Sequence, residues 1–379
     1  MKIIRNILFC ILNIINVVIP KKGNMIVIYG RRMLNENSEA LLDYLLKEKY
    51  DNVYKIILLV SREVKHNYNS SDNFRIVNNT ILTFWYTLRA KYIFHTHGMS
   101  LCKHIPSRGQ IIFNLWHGSP LKRIGFLAGE NIKNTDTYFL CASPFFASKH
   151  KLCFALDDRQ IFIGSNPRND TLFHKIDIKS IMGIGENSKL IVMMPTFRLS
   201  RKMSKVDSNI EFPILNEDNI DGLNSFLKMH NVFIIIKVHP YQDRIAFLEK
   251  GFSNIIVLRN EDIQEKRIKL YELLGNSDAL ITDFSSVYFD YMLIDRPIGF
   301  AVDDVEDYGM KRGYTIDNPV ELMPGMQLKT INDLEHFIVQ VVKEIDAYKE
   351  ERKYICKKCN TYVTPDASWR ILTFLGIDK

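Results

Sequence analysis

Short, uninterrupted apolar runs bounded by polar or glycine-bearing segments recur along the chain, and they predict its fold. Met25-Ile-Val-Ile-Tyr29, Lys55-Ile-Ile-Leu-Leu-Val60, Lys91-Tyr-Ile-Phe-His95 and Gln110-Ile-Ile-Phe-Asn114 each have strand length and no polar alternation. Runs of this kind belong to strands buried on both faces, as in parallel sheets. Between the first two, Ser38 is placed to cap an amphipathic helix from Glu39 to Lys49 whose core face is Leu41, Leu42, Leu45 and Leu46. The pattern restarts at Leu190–Met194. It continues through Val232–Lys237, Ile255–Leu258, Ala279–Ile281 and Pro297–Ala301, with helices expected over Leu223–Met229, Ile245–Lys250 and Arg267–Leu274. Strands alternating with helices predict an α/β protein with two layers of parallel βαβ units, facing each other across a cleft.

The length of 379 residues exceeds one ordinary core and agrees with two domains. The polar stretch Ser165–Ser188, with Pro167, Gly183 and Gly185, marks the division. The expected organisation is a helix over 1–24, α/β domains over 25–175 and 176–345, and a helical segment over 346–379. Apolar residues make up 46% and charged residues 25%, which excludes extended disorder and a polytopic membrane protein. A net charge of +7 suits a phosphate-rich substrate or an anionic membrane surface, and no nucleic-acid signature accompanies it. The six cysteines have no framework spacing and read as reduced thiols; Cys356-Lys-Lys-Cys359 is a lone pair, short of a zinc site. Ile7–Ile19 is nearly all apolar but too short to cross a bilayer. On a helix, Lys2, Arg5, Asn6, Asn13 and Asn16 fall within a sector of about 100°. A narrow polar stripe with basic ends fits a membrane interface, or else a helix packed on the protein's own core.

Candidate chemistry lies where strands end. In Ala279-Leu-Ile-Thr-Asp-Phe-Ser-Ser-Val-Tyr-Phe-Asp290 a buried strand stops at Thr282-Asp283, and Ser285-Ser286 open a helical segment. The unpaired N–H groups of such a turn form a phosphate site, or the serines are only caps. Asp290, one turn past Ser286, is placed to reach a ribose or another hydroxyl pair. In Asn114-Leu-Trp-His-Gly-Ser-Pro120 a strand runs out into His117, and Gly118 lets the backbone approach a ligand. A histidine there is suited to take a proton from an attacking hydroxyl, or to bond a nearby carbonyl. Ile236-Lys237-Val-His239-Pro240 repeats the arrangement, with His239 locked by Pro240 and positioned to stabilise phosphoryl charge. Gly164–Asp170 and Met194-Pro-Thr196-Phe-Arg198 each bring an arginine, Arg168 and Arg198, to a strand end. These suit bidentate phosphate contacts or inter-domain ion pairs.

Seven motifs in this order form a recognisable set. They are Trp116–Gly125, Asn166–Asp170, Met194–Arg198, Val238–Pro240, Leu280–Asp290, Asp295–Ile298 and Arg312-Gly-Tyr314, and together they resemble the CDP-glycerol glycerophosphotransferase family. The resemblance covers roughly residues 110–375, more weakly from Met25. It implies a two-domain GT-B-like fold of two facing Rossmann-type domains, the first on the acceptor side and the second binding a CDP-alditol. It implies attack of an acceptor hydroxyl on the β-phosphate of CDP-glycerol or CDP-ribitol, with CMP leaving; no cofactor and no metal-ligand set is expected among the site residues. The expected acceptor is lipid-linked or a polymer, and the N-terminal stripe adds the expectation of a peripheral protein on the cytoplasmic face of the cell membrane. Carried over by motif, His117 is the general base and His239 stabilises the donor's phosphates. Ser285 and Ser286 hold the pyrophosphate and Asp290 the donor's hydroxyls. Gly118, Arg168, Thr196, Arg198, Lys237, Asp283 and Arg312 complete the substrate-side candidates. His95-Thr-His97 stands outside the family pattern and lacks a third ligand for a metal. The competing enzyme class is a GT-B glycosyltransferase using a nucleotide sugar.

Overall fold

The structure is a computed structural model that describes residues 11, 14–31, 34–62, 64, 66–99, 109–132, 134–196, 198–200, 205–206, 210–239, 242 and 244–379. Expectations for Met1–Cys10, Asn13, Cys102, Phe197 and Pro240 lie outside the described residues. The chain forms two compact units. One comprises residues up to Ser119, Ile124–Asp170 and Thr361–Lys379; the other comprises Pro120–Arg123 and Thr171–Asn360.

The first unit is built on a parallel sheet of β1 (Lys22–Gly30), β2 (Lys55–Val60), β3 (Phe74–Val77), β4 (Ala90–His95), β5 (Ile111–Asn114), β6 (Tyr138–Cys141) and β7 (Ile161–Ile163). Its order is β3-β2-β1-β4-β5-β6-β7. Both faces are covered, which explains the uninterrupted apolar runs. Ile26 and Ile28 of β1 pack with Leu41, Leu42 and Leu45 on one side, and Val27 and Tyr29 with Ile57 and Leu59 on the other. The helix expected over Glu39–Lys49 runs over Glu36–Lys47 and starts earlier than expected. Asn35 is its N-cap, accepting from the Asn37 N–H, while Ser38 is buried inside the helix.

The second unit carries β8 (Lys189–Met194), β11 (Val232–Lys237), β12 (Ile255–Leu258), β13 (Ala279–Thr282), β14 (Ile298–Ala301) and β15 (Met326–Leu328) in the order β12-β11-β8-β13-β14-β15. A two-stranded antiparallel piece, β9 (Leu199–Ser200) with β10 (Lys205–Val206), is separate. Counted along each unit, both sheets have the strand order 3-2-1-4-5-6 of a doubly wound nucleotide-binding fold, the first with one strand more. In such sheets ligands bind outside the carboxyl ends of the strands, where the order reverses. In the first unit that reversal lies between β1 and β4, in the second between β8 and β13.

The segment expected as one C-terminal piece over 346–379 divides between the units. Helix Lys349–Cys359 belongs to the second, where its wholly buried Arg352 bonds Asp295 and Asp346. Helix Ala367–Phe374 belongs to the first, with Ile371 and Leu372 in its core. Its free N–H groups at Ala367 and Ser368 donate to the Asp170 carboxylate at 3.0 and 3.2 Å, so Asp170 caps that helix.

Of the expected N-terminal helix, residues 14–18 are described and helical. Asn16 is buried and donates to Gln110 Oε1 at 3.1 Å, whereas Ile14, Val17 and Val18 are exposed. No helix among the described residues is long and apolar enough to cross a membrane.

Candidate active site

In the first unit the chain leaves β5 through Leu115 and makes an abrupt turn. Trp116 has φ +50°, a left-handed conformation that costs a bulky residue about 1–3 kcal/mol. Three bonds hold it there. Its N–H donates to Asn114 Oδ1 at 2.8 Å, and Asn37 Nδ2 donates to the Leu115 and Trp116 carbonyls at 3.2 and 3.1 Å. The indole fills an aromatic pocket with Phe139 and Phe154. Gly118 follows at φ +148°, which a side chain would strain.

This turn presents His117. Its Nδ1 lies 3.2 Å from the Thr96 carbonyl, which can only accept, so the proton sits on Nδ1 and Nε2 carries the basic lone pair. Burial pushes His117 down to about 3, with the His97 and Arg168 charges adding to the effect and the Thr96 carbonyl opposing it. The ring is therefore neutral, ready to accept a proton. Arg168, a candidate for a phosphate contact or an ion pair, donates from Nη1 to the His117 carbonyl at 3.1 Å and is buried.

A second layer supports the turn. Gly98 N–H donates to His95 Nδ1 at 3.1 Å, which leaves the His95 proton on Nε2, 2.8 Å from Asp136 Oδ1. Asp136 Oδ2 accepts from Asn114 Nδ2 at 2.8 Å, closing a path from β4 to the turn. His95 and Asn114 are register partners on neighbouring strands. Sequence reading missed Asn37, Asn114 and Asp136. The His95-Thr-His97 pair was visible, but its meaning depends on that register.

In the second unit, the ends of β8 and β13 are locked together by a buried ionic network. Asp283 accepts from Thr196 N–H at 3.0 and 2.9 Å, from Thr196 Oγ1 at 2.9 Å and from Arg198 Nη1 at 2.6 Å. Arg198, wholly buried, makes a two-pronged contact with Asp304 at 2.7 and 2.9 Å. Burial favours loss of the Arg198 proton, but the two carboxylates more than reverse this and hold it charged. Thr196, Arg198 and Asp283 are thus engaged with one another. Lys237 is similarly turned inward, to Asn260 Oδ1 at 2.8 Å and the Val238 carbonyl at 2.9 Å.

What this frame leaves half-exposed is Ser285 and Ser286. The helix that follows, Val287–Tyr291, has no side-chain cap from Ser286, so the capping role open to it in the sequence is not realised. Asp290 lies inside that helix, 2% exposed, with the Tyr271 hydroxyl donating to Oδ2 at 2.7 Å. His239, half-buried after β11, is pushed down to about 4 by burial and by Lys122 and Lys237, against Asp283. Lys122 is a residue the sequence did not single out. It arrives because Pro120–Arg123 pairs with Tyr314, Arg123 N–H reaching the Gly313 carbonyl at 3.1 Å and Thr315 N–H the Leu121 carbonyl at 2.9 Å. Arg312 lines a cavity of about 600 Å³ with Arg123, Lys311, Glu306, Tyr314 and Asp317. Tyr314 packs on Phe284, the residue before Ser285.

In their separate units, a neutral imidazole, a second histidine amid lysines and a pair of half-exposed serine hydroxyls at a strand end are groups of the kind a phosphoryl transfer uses. Residues 11–376 match the family described as CDP-Glycerol:Poly(glycerophosphate) glycerophosphotransferase. The chain belongs to that family. It is 27% identical over 360 residues to the teichoic acid poly(glycerol phosphate) polymerase of Bacillus spizizenii, covering 88% of this chain and 86% of the relative. It is 26% identical over 298 residues to the teichoic acid ribitol-phosphate primase of the same organism, covering 72% and 71%. Among solved structures, the wall teichoic acid polymerase TagF superposes with a TM-score of 0.75 at 19% identity, covering 99% of this chain and 95% of that one. The fold is GT-B-like, and the protein is an enzyme of the glycerophosphotransferase class.

The uncommitted serines carry a prediction. Replacing Ser285 and Ser286 together with Ala removes two hydroxyls but keeps the backbone N–H groups. Donor affinity is expected to fall by roughly 1–3 kcal/mol, as for one or two charge-assisted hydrogen bonds. Calorimetry with CDP-glycerol and with CMP measures this; unchanged binding of both would place the pyrophosphate elsewhere.

Proposed function

We propose that the enzyme transfers glycerol phosphate, or ribitol phosphate, from a CDP-alditol to a hydroxyl of a lipid-linked or polymer acceptor in teichoic-acid or capsule-like polymer synthesis, releasing CMP. The observation that carries this is the tautomer of His117, whose Nδ1 is held by the Thr96 carbonyl so that Nε2 is the base. The acceptor's O–H gives its proton to Nε2 as its oxygen bonds the donor's β-phosphorus. The bond from that phosphorus to the bridging oxygen breaks, and the oxygen leaves on CMP. His239 offers a ring N–H to the donor's phosphates, while Lys122 beside it offsets their charge. Ser285 and Ser286 bind the pyrophosphate, and Gly118 and Arg312 are further substrate contacts. Thr196, Arg198, Lys237, Asp283 and Asp290, together with Arg168 on the His117 carbonyl, serve as the buried frame that holds these groups in place. A donor screen tests the reading. CMP should appear with CDP-glycerol or CDP-ribitol; turnover with a UDP- or CMP-sugar and none with either CDP-alditol would favour the glycosyltransferase class.

The same proposal places the enzyme peripherally on the cytoplasmic face of the membrane. Ile11, Ile14, Val17 and Val18 are exposed, as are Ile81, Leu82 and Trp85 on helix Thr80–Arg89. The two elements are tied together by Lys21 Nζ, which donates to the Leu88 carbonyl at 2.5 Å. With Asn16 turned inward, the outward face is apolar, as an interfacial segment requires. Ile14→Glu/Val17→Glu is expected to lower affinity for anionic liposomes by about a hundredfold or more, since each buried apolar side chain contributes about 1.5–3 kcal/mol and about 1.4 kcal/mol is tenfold. Flotation equal to wild type would assign the face to something other than lipid.

A further inference from the structure

His97 is the one histidine of the His95-Thr-His97 pair whose place the buried network does not explain. Its ring lies flat against that of His117, with centroids 4.4 Å apart and planes within 2°. Its Nδ1 is 2.8 Å from Thr96 Oγ1, and Thr96 also supplies the carbonyl that holds His117 Nδ1. One residue thus anchors both rings, through its side chain and its backbone.

An imidazole tethered by one hydrogen bond still turns about its last side-chain torsion, which is broad. A base must instead aim its lone pair at one oxygen, and an error of about 1 Å costs on the order of a hundredfold in rate. His117 is met by two rings, Trp116 at 4.0 Å and His97 at 4.4 Å. Trp116 is placed by the strained turn. His97 is placed by Thr96 and by the end of β4, where His95 is fastened to Asp136.

We infer that His97 is a positioning residue for the base: it fixes the plane of the His117 ring by a flat stack. This rests on the reading of His117 as general base. It goes beyond that reading in naming a residue outside the motifs shared with the family.

The test uses the full chain, with CDP-glycerol and a synthetic acceptor of a few glycerol phosphate units, and follows CMP release. His97→Ala is expected to lower kcat on the order of tenfold or more, with KM and calorimetric affinity for CDP-glycerol within about twofold of wild type. His97→Phe, which keeps a flat ring, should recover most of the loss, whereas His97→Leu, which only fills space, should not. Wild-type kcat in His97→Ala would overturn the inference, and so would recovery by Leu equal to that by Phe. So would a loss confined to KM. His117→Ala run alongside separates the two levels. If it turns over normally, the base assignment falls and the inference with it; if it is inactive while His97→Ala is normal, only the inference falls.

Discussion

His117→Ala is expected to lower turnover by on the order of 100- to 10,000-fold, the usual range for a lost general base, while CDP-alditol affinity changes little. The reason is structural. The turn after β5 is held by Asn37, Asn114 and Arg168 through backbone atoms at Leu115, Trp116 and His117, so truncating the imidazole leaves those bonds in place. What disappears is the Nε2 lone pair. Stopped-flow or chromatographic CMP release gives turnover, and calorimetry gives donor affinity. Near-normal turnover would remove His117 from the base role. A parallel collapse of donor affinity would recast it as a binding residue.

The second large effect is on stability. Arg198→Ala removes the cation shared by Asp283 and Asp304 and strands two buried carboxylates without it. Breaking a buried pair in this way typically costs about 3–5 kcal/mol, because the remaining charge is uncompensated. The loss falls on the β8–β13 reversal, so Ser285 and Ser286 should lose their fixed geometry together with the fold around them. Urea unfolding of the second unit should show the decrease, and donor binding should fall with it. A decrease below about 1 kcal/mol would mean that the network is relaxed or hydrated in solution. Replacing Ser285 and Ser286 probes the hydroxyls alone, which separates contact from framework.

Much of the fold was legible because parallel strands buried on both faces write themselves as unbroken apolar runs. Lys55–Val60, Val232–Lys237 and Ile255–Leu258 coincide with the observed strands residue for residue. The strands that escaped are short or at sheet edges. Phe74–Val77 carries a polar Arg75, and Ile161–Ile163 and Met326–Leu328 have three residues each. Helix Pro144–Phe154 escaped because its apolar residues fall on all sides, so no period of 3.6 emerges.

The candidate site divides in the same way. The positions of His117, His239, Ser285 and Ser286 just past strand ends, marked by glycine, proline or paired serines, were readable. Their sidedness was not. Arg168, Arg198, Lys237 and Asp283 look like phosphate contacts in a motif, and only three-dimensional pairing shows that each is already engaged with protein atoms. The supports were illegible for a related reason. Asn37 reaches Trp116 across 79 positions of chain, and no local pattern records such a contact.

The most direct test of the account is the identity of the nucleotide released from CDP-glycerol, followed by phosphorus NMR in the presence of acceptor. Attack at the β-phosphorus predicts CMP, with the β-phosphorus reappearing as a phosphodiester in the product, and both signals lost in His117→Ala. Release of CDP, with no new phosphodiester, would mean that a carbon–oxygen bond breaks instead and would contradict the account.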